Sequence, residues 1–192
     1  MSTDFTPIGY DIETSDSEGH GEILSIGIYA PAAAEKFNYV EMRYHSLVVS
    51  PEAMRVNRLP VDAMDAHGKT YPAVAETMLA TYLKTIRHPR ATGWNVGAFD
   101  LKYTEAKMPY VAKVLGRRTI DLNALCSAAA TIYATPHGDM KAHVIGEATN
   151  LMAADADFTQ FCEVRGIAAA QHNALWDAVN ALYCYKVITE RL

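Results

Sequence analysis

Three stretches of the chain place acids and a histidine where an apolar residue or a plain turn would be expected. The first is Asp11-Ile12-Glu13-Thr14, at the end of a strand-like run. Side chains two apart on a strand point to the same side, so Asp11 and Glu13 repel and raise each other's pKa unless a cation lies between them. Hard divalent ions take such oxygen donors; a solvated strand end reads the same way. The second stretch runs from Gly93 through Trp94, Asn95 and Gly97 to Asp100. Asn95 closes a strand and Asp100 falls in the first turn of a helix, where free amides and the helix dipole favour a carboxylate, as they would in any helix start. The third runs from His172 to Asp177. Residues five apart on a helix lie about 140° from each other, so these two flank a space rather than stack. Asp177 then points to the sheet as a ligand and His172, titrating near neutrality, takes a proton from water; the plain alternative is a capping histidine and a polar-face aspartate. Together, acids from three separated segments plus one histidine form the inventory for phosphoryl hydrolysis with two metal ions about 4 Å apart.

The elements that must position these residues are mostly readable. Residues 7–12 and Glu22–Pro31 form strands joined by the polar segment 13–21, and Phe37–Val49 alternates as a third strand, which predicts an antiparallel meander. Residues 51–68 read as loop with short helical turns. Tyr71–Ile86 has a helical period with Pro72 in its first turn. A short strand follows within residues 88–96, then a helix over Phe99–Val111 whose end Pro109 disturbs. Residues 117–122 give a short strand leading into a helix over 122–132. Residues 133–156 carry turn signals and little period, Ala156–Arg165 is a short helix, and Gln171–Glu190 is a long amphipathic one. The order predicts a single α/β domain over 1–192: one mixed sheet with helices on its faces.

Bulk properties narrow the function. Half of the residues are hydrophobic (50%) and a fifth charged (20%), an ordinary globular balance. No apolar run reaches the roughly 18 residues of a membrane span, and no secretory signal is visible at the N-terminus. Cys126, Cys162 and Cys184 are odd in number and widely spaced, which fits neither a thiolate metal site nor a disulfide framework and predicts a reducing cytoplasm. The net charge of −5 disfavours a pure binder of long nucleic acid. Two basic clusters, Arg87 with His88 and Arg90, and Lys113 with Arg117 and Arg118, read as solvated surface or as phosphate contacts. His20, His45, His67, His88, His137 and His143 lack zinc-like spacing; His137 and His143 read as surface residues first, with contact to phosphate at a site rim as the alternative.

In order and spacing, D-x-E-T at 11–14, N-x-x-x-F-D at 95–100 and H-x-A-x-x-D-A at 172–178 resemble the DEDDh branch of the DnaQ-like 3′–5′ exonucleases, a superfamily that includes oligoribonuclease, ribonuclease T and the proofreading subunit of bacterial replicative polymerases. The resemblance spans about residues 7 to 185. It implies a ribonuclease H-like mixed five-stranded sheet flanked by helices. It also implies two Mg2+ or Mn2+ ions, the first held by Asp11, Glu13 and Asp177, with Asp11 bridging to the second and Asp100 acting directly or through water. His172 would be the general base, the backbone at Glu13 and Thr14 would receive a 3′-hydroxyl, Asn95 would border the terminal nucleotide, and Asp121 would be structural, as a helix cap. The implied partner is RNA or DNA with a free 3′ end, single-stranded or overhanging, cut to nucleoside 5′-monophosphates. A homodimer through the helix 171–190 is one option and packing of that helix on the sheet the other. Two departures stand out: Ser15-Asp16-Ser17 is more polar than the family's usual apolar contact to the terminal base, and Trp94, a stacking or packing residue, replaces a histidine or small residue. The alternatives are an inactive member serving as a binding or interaction domain, and an endonuclease of related fold.

Overall fold

The computed structural model describes residues 4–16, 20–57, 69–167 and 172–190. Ser17 and His67 lie outside the described residues, as does Gln171, the expected first residue of the last helix. The sheet holds five strands, β1 (Thr6–Thr14), β2 (Ile23–Tyr29), β3 (Phe37–Glu41), β4 (Pro89–Gly93) and β5 (Ile120–Asp121), in the order β3-β2-β1-β4-β5. β1, β2 and β3 form the expected antiparallel meander, while β4 joins β1 and β5 joins β4 in parallel. This is an open, ribonuclease H-like α/β fold. The β1–β2 register shifts between Glu13 and Thr14, a bulge of the sort that re-aims side chains beside sites.

The two faces of β1 have opposite characters. Ile8, Tyr10 and Ile12 enter a core with Ala75, Leu79 and Leu83 of α2 (Pro72–Lys84), Leu101 and Tyr103 of α3 (Asp100–Lys107) and Val111 and Leu115 of α4 (Pro109–Leu115). A short helix, α1 (Pro51–Asn57), precedes them. The other face presents Gly9, Asp11 and Glu13. It is covered by α8 (Ala174–Thr189), which is itself enclosed by α5 (Leu122–Ile132), α6 (His137–Ala153) and α7 (Ala156–Arg165). Burial of Leu175, Val179 and Leu182 against Tyr29, Phe37 and Phe158, and of Ala181, Cys184 and Ile188 against α5 and α6, shows that the apolar surface of α8 is used inside the chain. All three cysteines are buried and free.

Three expectations need correction. The third strand stops at Glu41 instead of Val49: Met42 forms an isolated bridge with Thr70, and the chain beyond leaves the sheet, with Tyr44 donating to the carbonyl of Ile23. The helix expected over Phe99–Val111 is two helices, because Met108 leaves the helical region (φ −139°, ψ 66°) and Pro109 opens α4 at its first position. The illegible stretch 133–156 contains a 17-residue helix, α6. Its buried residues are Met140, Val144, Ala148 and Met152, one per turn, so only a narrow seam touches the core.

α8 approaches the sheet through two glycines. A Cβ on Gly9 would lie 1.9 Å from the carbonyl oxygen of Ala178, and one on Gly27 would lie 2.1 Å from that of Ala174. Neither backbone atom can step aside without lifting the helix. Gly27→Ala should therefore cost about 3 kcal/mol or more, the upper range of overpacking. Gly146→Ala, inside α6 with nothing within 4 Å, should gain about 0.5–1 kcal/mol. Urea denaturation of the two variants checks the contrast; equal midpoints would contradict it.

Candidate active site

Gly27 is the cross-strand partner of Asp11, and Gly9 lies two residues before Asp11 on the same face. The glycines that admit α8 thus also admit Asp177, four residues into that helix. One carboxylate oxygen from each of Asp11, Glu13 and Asp177 falls within 4.8 Å of the others. Asp100 sits beside this trio but is turned differently. β1 and β4 are paired only as far as Gly9 and Thr92, so the amide of Ile12 lacks a strand partner on that side, and it donates to Asp100 Oδ1 at 3.0 Å. The first turn of α3 is held in place by Thr104, whose hydroxyl donates to the carbonyl of Asp100 (2.7 Å) and pairs with the buried hydroxyl of Tyr10 (2.7 Å).

The histidine is placed by the turn into α8. Asn173 is the N-cap, its side chain accepting from the amides of Leu175 (3.1 Å) and Trp176 (3.4 Å). His172, half-buried, takes φ = 64°, a left-handed conformation that costs a non-glycine residue about 1–2 kcal/mol. Its amide donates to Asp177 Oδ2 at 2.9 Å, which ties the turn to the acidic trio.

The electrostatics are those of uncompensated negative charge. Burial, followed by the charges of Asp100, Asp177 and Glu13, holds the Asp11 carboxyl well above the ordinary range. Burial, then Asp177 and Asp100, pushes Glu13 up to about 8. Asp100 rises to about 7 through burial, offset in part by the Ile12 amide, and Asp177 to about 6 through burial, offset by the His172 amide. Among the described residues no lysine or arginine forms an ion pair with any of the four. Hard oxygen donors, crowded together and without a protein cation, suit a divalent metal ion.

Other expected residues are distributed as follows. Thr14 is buried, and its hydroxyl donates to the carbonyl of Asp16. Asp16 is in turn held by the hydroxyl of Tyr103, at 2.9 Å from its carbonyl and also against its carboxylate. Asn95 is exposed at φ = 59°. Trp94 is half-buried against the core of α5, α6 and α8, with the Lys141 ammonium 4.6 Å from its ring centre. Asp121 caps α5, accepting from the amide of Asn123 at 2.8 Å. His137 and His143 are exposed on α6. Of the basic clusters, Arg87 pairs with Asp4 and Arg117 with Glu105, while His88, Arg90, Arg117 and Arg118 meet around one cavity at the start of β4, the opposite end of the sheet from the acids. Sequence reading missed Asn173 as the cap, and it missed a polar row on β3, Tyr39 and Glu41, whose alternation was visible but whose register was not.

No family model matches the sequence, and no curated protein matches it. Solved structures do resemble it. E. coli Exonuclease I in complex with a dT13 oligonucleotide superposes with a TM-score of 0.63 at 14% identity, covering 97% of this chain and 41% of that one. Exonuclease I from Methylocaldum szegediense superposes with a TM-score of 0.66 at 17% identity, again over 97% and 41%. An Exonuclease I/SSB-Ct complex gives 0.59 at 13% identity, over 98% and 42%. The chain thus shares their fold and spans about two fifths of their length.

The raised carboxyl groups fix the sign of a pH dependence. A native acid with elevated pKa keeps a proton that the unfolded chain has already lost, so stability falls as pH climbs from the unfolded value of about 4 towards the value of about 8 reached by Glu13. In chelator the melting temperature should drop between about pH 5 and 8. Mn2+ should flatten that drop, and Asp11→Asn should shrink it. A profile unaffected by both changes would contradict the charge cluster.

Proposed function

We propose that this chain is a metal-dependent 3′–5′ exonuclease of the DEDDh type. The observation that carries the reading is the convergence of Asp11, Glu13 and Asp177 within 4.8 Å, with Asp100 adjacent and His172 at the mouth of α8. The likeness to Exonuclease I supports it at the level of fold.

Asp11, Glu13 and Asp177 would hold a first Mg2+ or Mn2+, and Asp11 and Asp100 a second. Bound there, the two ions would supply charge neutralisation at the attacking and leaving oxygens of the phosphodiester. The remaining work falls to the chain. His172 would accept the proton of the attacking water; its backbone amide is tied to Asp177, which supports that role. The bulged backbone at Glu13 and Thr14 would seat the terminal 3′-hydroxyl. Asn95 and the exposed part of Trp94 would border the terminal nucleotide. Asp16, fixed by Tyr103, would set a polar floor where relatives use an apolar contact. The substrate would be a short single strand or 3′ overhang of RNA or DNA, released as 5′-mononucleotides.

The test is a time course on 5′-labelled single-stranded RNA and DNA and a 3′-overhang duplex, with Mg2+ or Mn2+ against chelator. A one-nucleotide ladder from the 3′ end is expected, abolished by chelator and by Asp177→Ala. His172→Ala should lower kcat about 10²–10⁴-fold, the usual contribution of a general base. Long internal fragments would replace the exonuclease with an endonuclease, and no metal-dependent cleavage would remove the catalytic reading.

A further inference from the structure

We propose that Tyr39, Glu41 and Lys69 are positioning residues that hold the His172–Asn173 turn, an assignment that rests on His172 being the base of the proposed reaction. The three lie outside every motif that marked the site. On β3 the register pairs Tyr39 with Gly27 and Glu41 with Ser25, which puts both on the face that carries Asp11 and Glu13 and is covered by α8.

The bonds run in one direction along this row. The Asn173 side-chain amide donates to the Tyr39 hydroxyl at 3.3 Å. That hydroxyl donates to Glu41 Oε1 at 2.9 Å. The Lys69 ammonium closes on Glu41 Oε2. Asn173 meanwhile uses its carbonyl oxygen on the amides of Leu175 and Trp176, so both ends of its side chain are committed. Thr70, next to Lys69, donates its amide to the Glu41 carbonyl at 2.9 Å and accepts from the Arg43 amide at 2.8 Å, which brings Lys69 to β3 from the backbone as well.

This row differs from an ordinary surface pair. The Lys69 side chain is 10% exposed and that of Glu41 31%, so solvent and salt screen their attraction less than they would on an open surface. Burial, then Glu41, keeps the Tyr39 phenol protonated, which secures it as a donor to Glu41. The far end of the row carries the strain: His172 at φ = 64° stays there only if its surroundings over-determine it. Asp177 takes its amide on one side and Asn173 anchors the chain on the other. Without Tyr39 the N-cap still bonds α8, but it loses its tie to the sheet, and the imidazole swings with it. A displacement of about 1 Å at a reacting group is enough to lower a rate about 100-fold.

The test combines kinetics with an observation that needs no turnover. Tyr39→Phe, Lys69→Met and Lys69→Arg would be assayed on a single-stranded oligonucleotide at saturating Mn2+, each also in the His172→Ala background. Tyr39→Phe should lower kcat about 10–100-fold with KM changed by less than about twofold. Lys69→Met should act in the same direction, with Lys69→Arg recovering most of the loss. In the His172→Ala background Tyr39→Phe should have no further effect, because it acts through that side chain. In parallel, NMR of labelled histidine and amide exchange at Leu175 and Trp176 should show the His172 ring resonance broadened and the two amides less protected in Tyr39→Phe and Lys69→Met, with the central strand amides unchanged. An equal loss of kcat with and without His172, or an unaltered ring resonance and unaltered exchange in a folded Tyr39→Phe or Lys69→Met protein, would overturn the proposal. Should the wild-type chain cleave nothing, the exonuclease reading falls by itself, and the NMR comparison still decides whether the row holds the turn.

Discussion

The close contact between α8 and the sheet is the constraint on which the rest of the molecule depends. With Gly9 and Gly27 beneath them, the carbonyls of Ala178 and Ala174 rest almost on the strands. A Cβ there, 1.9 or 2.1 Å from those carbonyl oxygens, would lift the helix off the strands, and Asp177 would move away from Asp11 and Glu13. The entry to α8, next to that contact, is a tight left-handed turn, which is where His172 sits. Packing density and site geometry are thus one property of this protein.

Charge explains the other half of the design. Four carboxyl groups are gathered with no ion pair to a lysine or arginine among the described residues, and each is lifted from its ordinary range mainly by burial. Such a cluster destabilises its own fold at neutral pH. It is held because each acid has a backbone duty or a rigid mount: Asp100 accepts the orphaned amide of Ile12, Asp177 accepts that of His172, and Asp11 and Glu13 ride on the central strand. The site is therefore preorganised for charge that comes from outside the chain.

Legibility from sequence followed the strength of local signals. The meander, α2, α5 and α7 were readable because their apolar periods are long or bounded by turn residues. The acids were readable because Asp11 and Glu13 are two apart on a strand and Asp100 and Asp177 each lie in the first turn of a helix. α6 was not, since Pro136, Gly138 and Gly146 imitate turns and only Met140, Val144, Ala148 and Met152 face the core. The break at Met108 depended on whether Pro109 ends a helix or starts one, a choice made by tertiary packing. Tyr39, Glu41 and Lys69 were invisible because a cross-strand register and a contact from a distant loop exist only in three dimensions.

The placement of β1 against α8 has a consequence for how the molecule comes to exist. The central strand belongs to the first part of the chain and the helix that covers its acidic face to the last. During synthesis, β1 and β2 can pair early, yet the face bearing Asp11 and Glu13 stays bare until Ala174–Thr189 has left the ribosome. The acidic cluster is a late product of folding, and a chain interrupted before α8 would hold all five strands, with Asp11 and Glu13 in place but without Asp177.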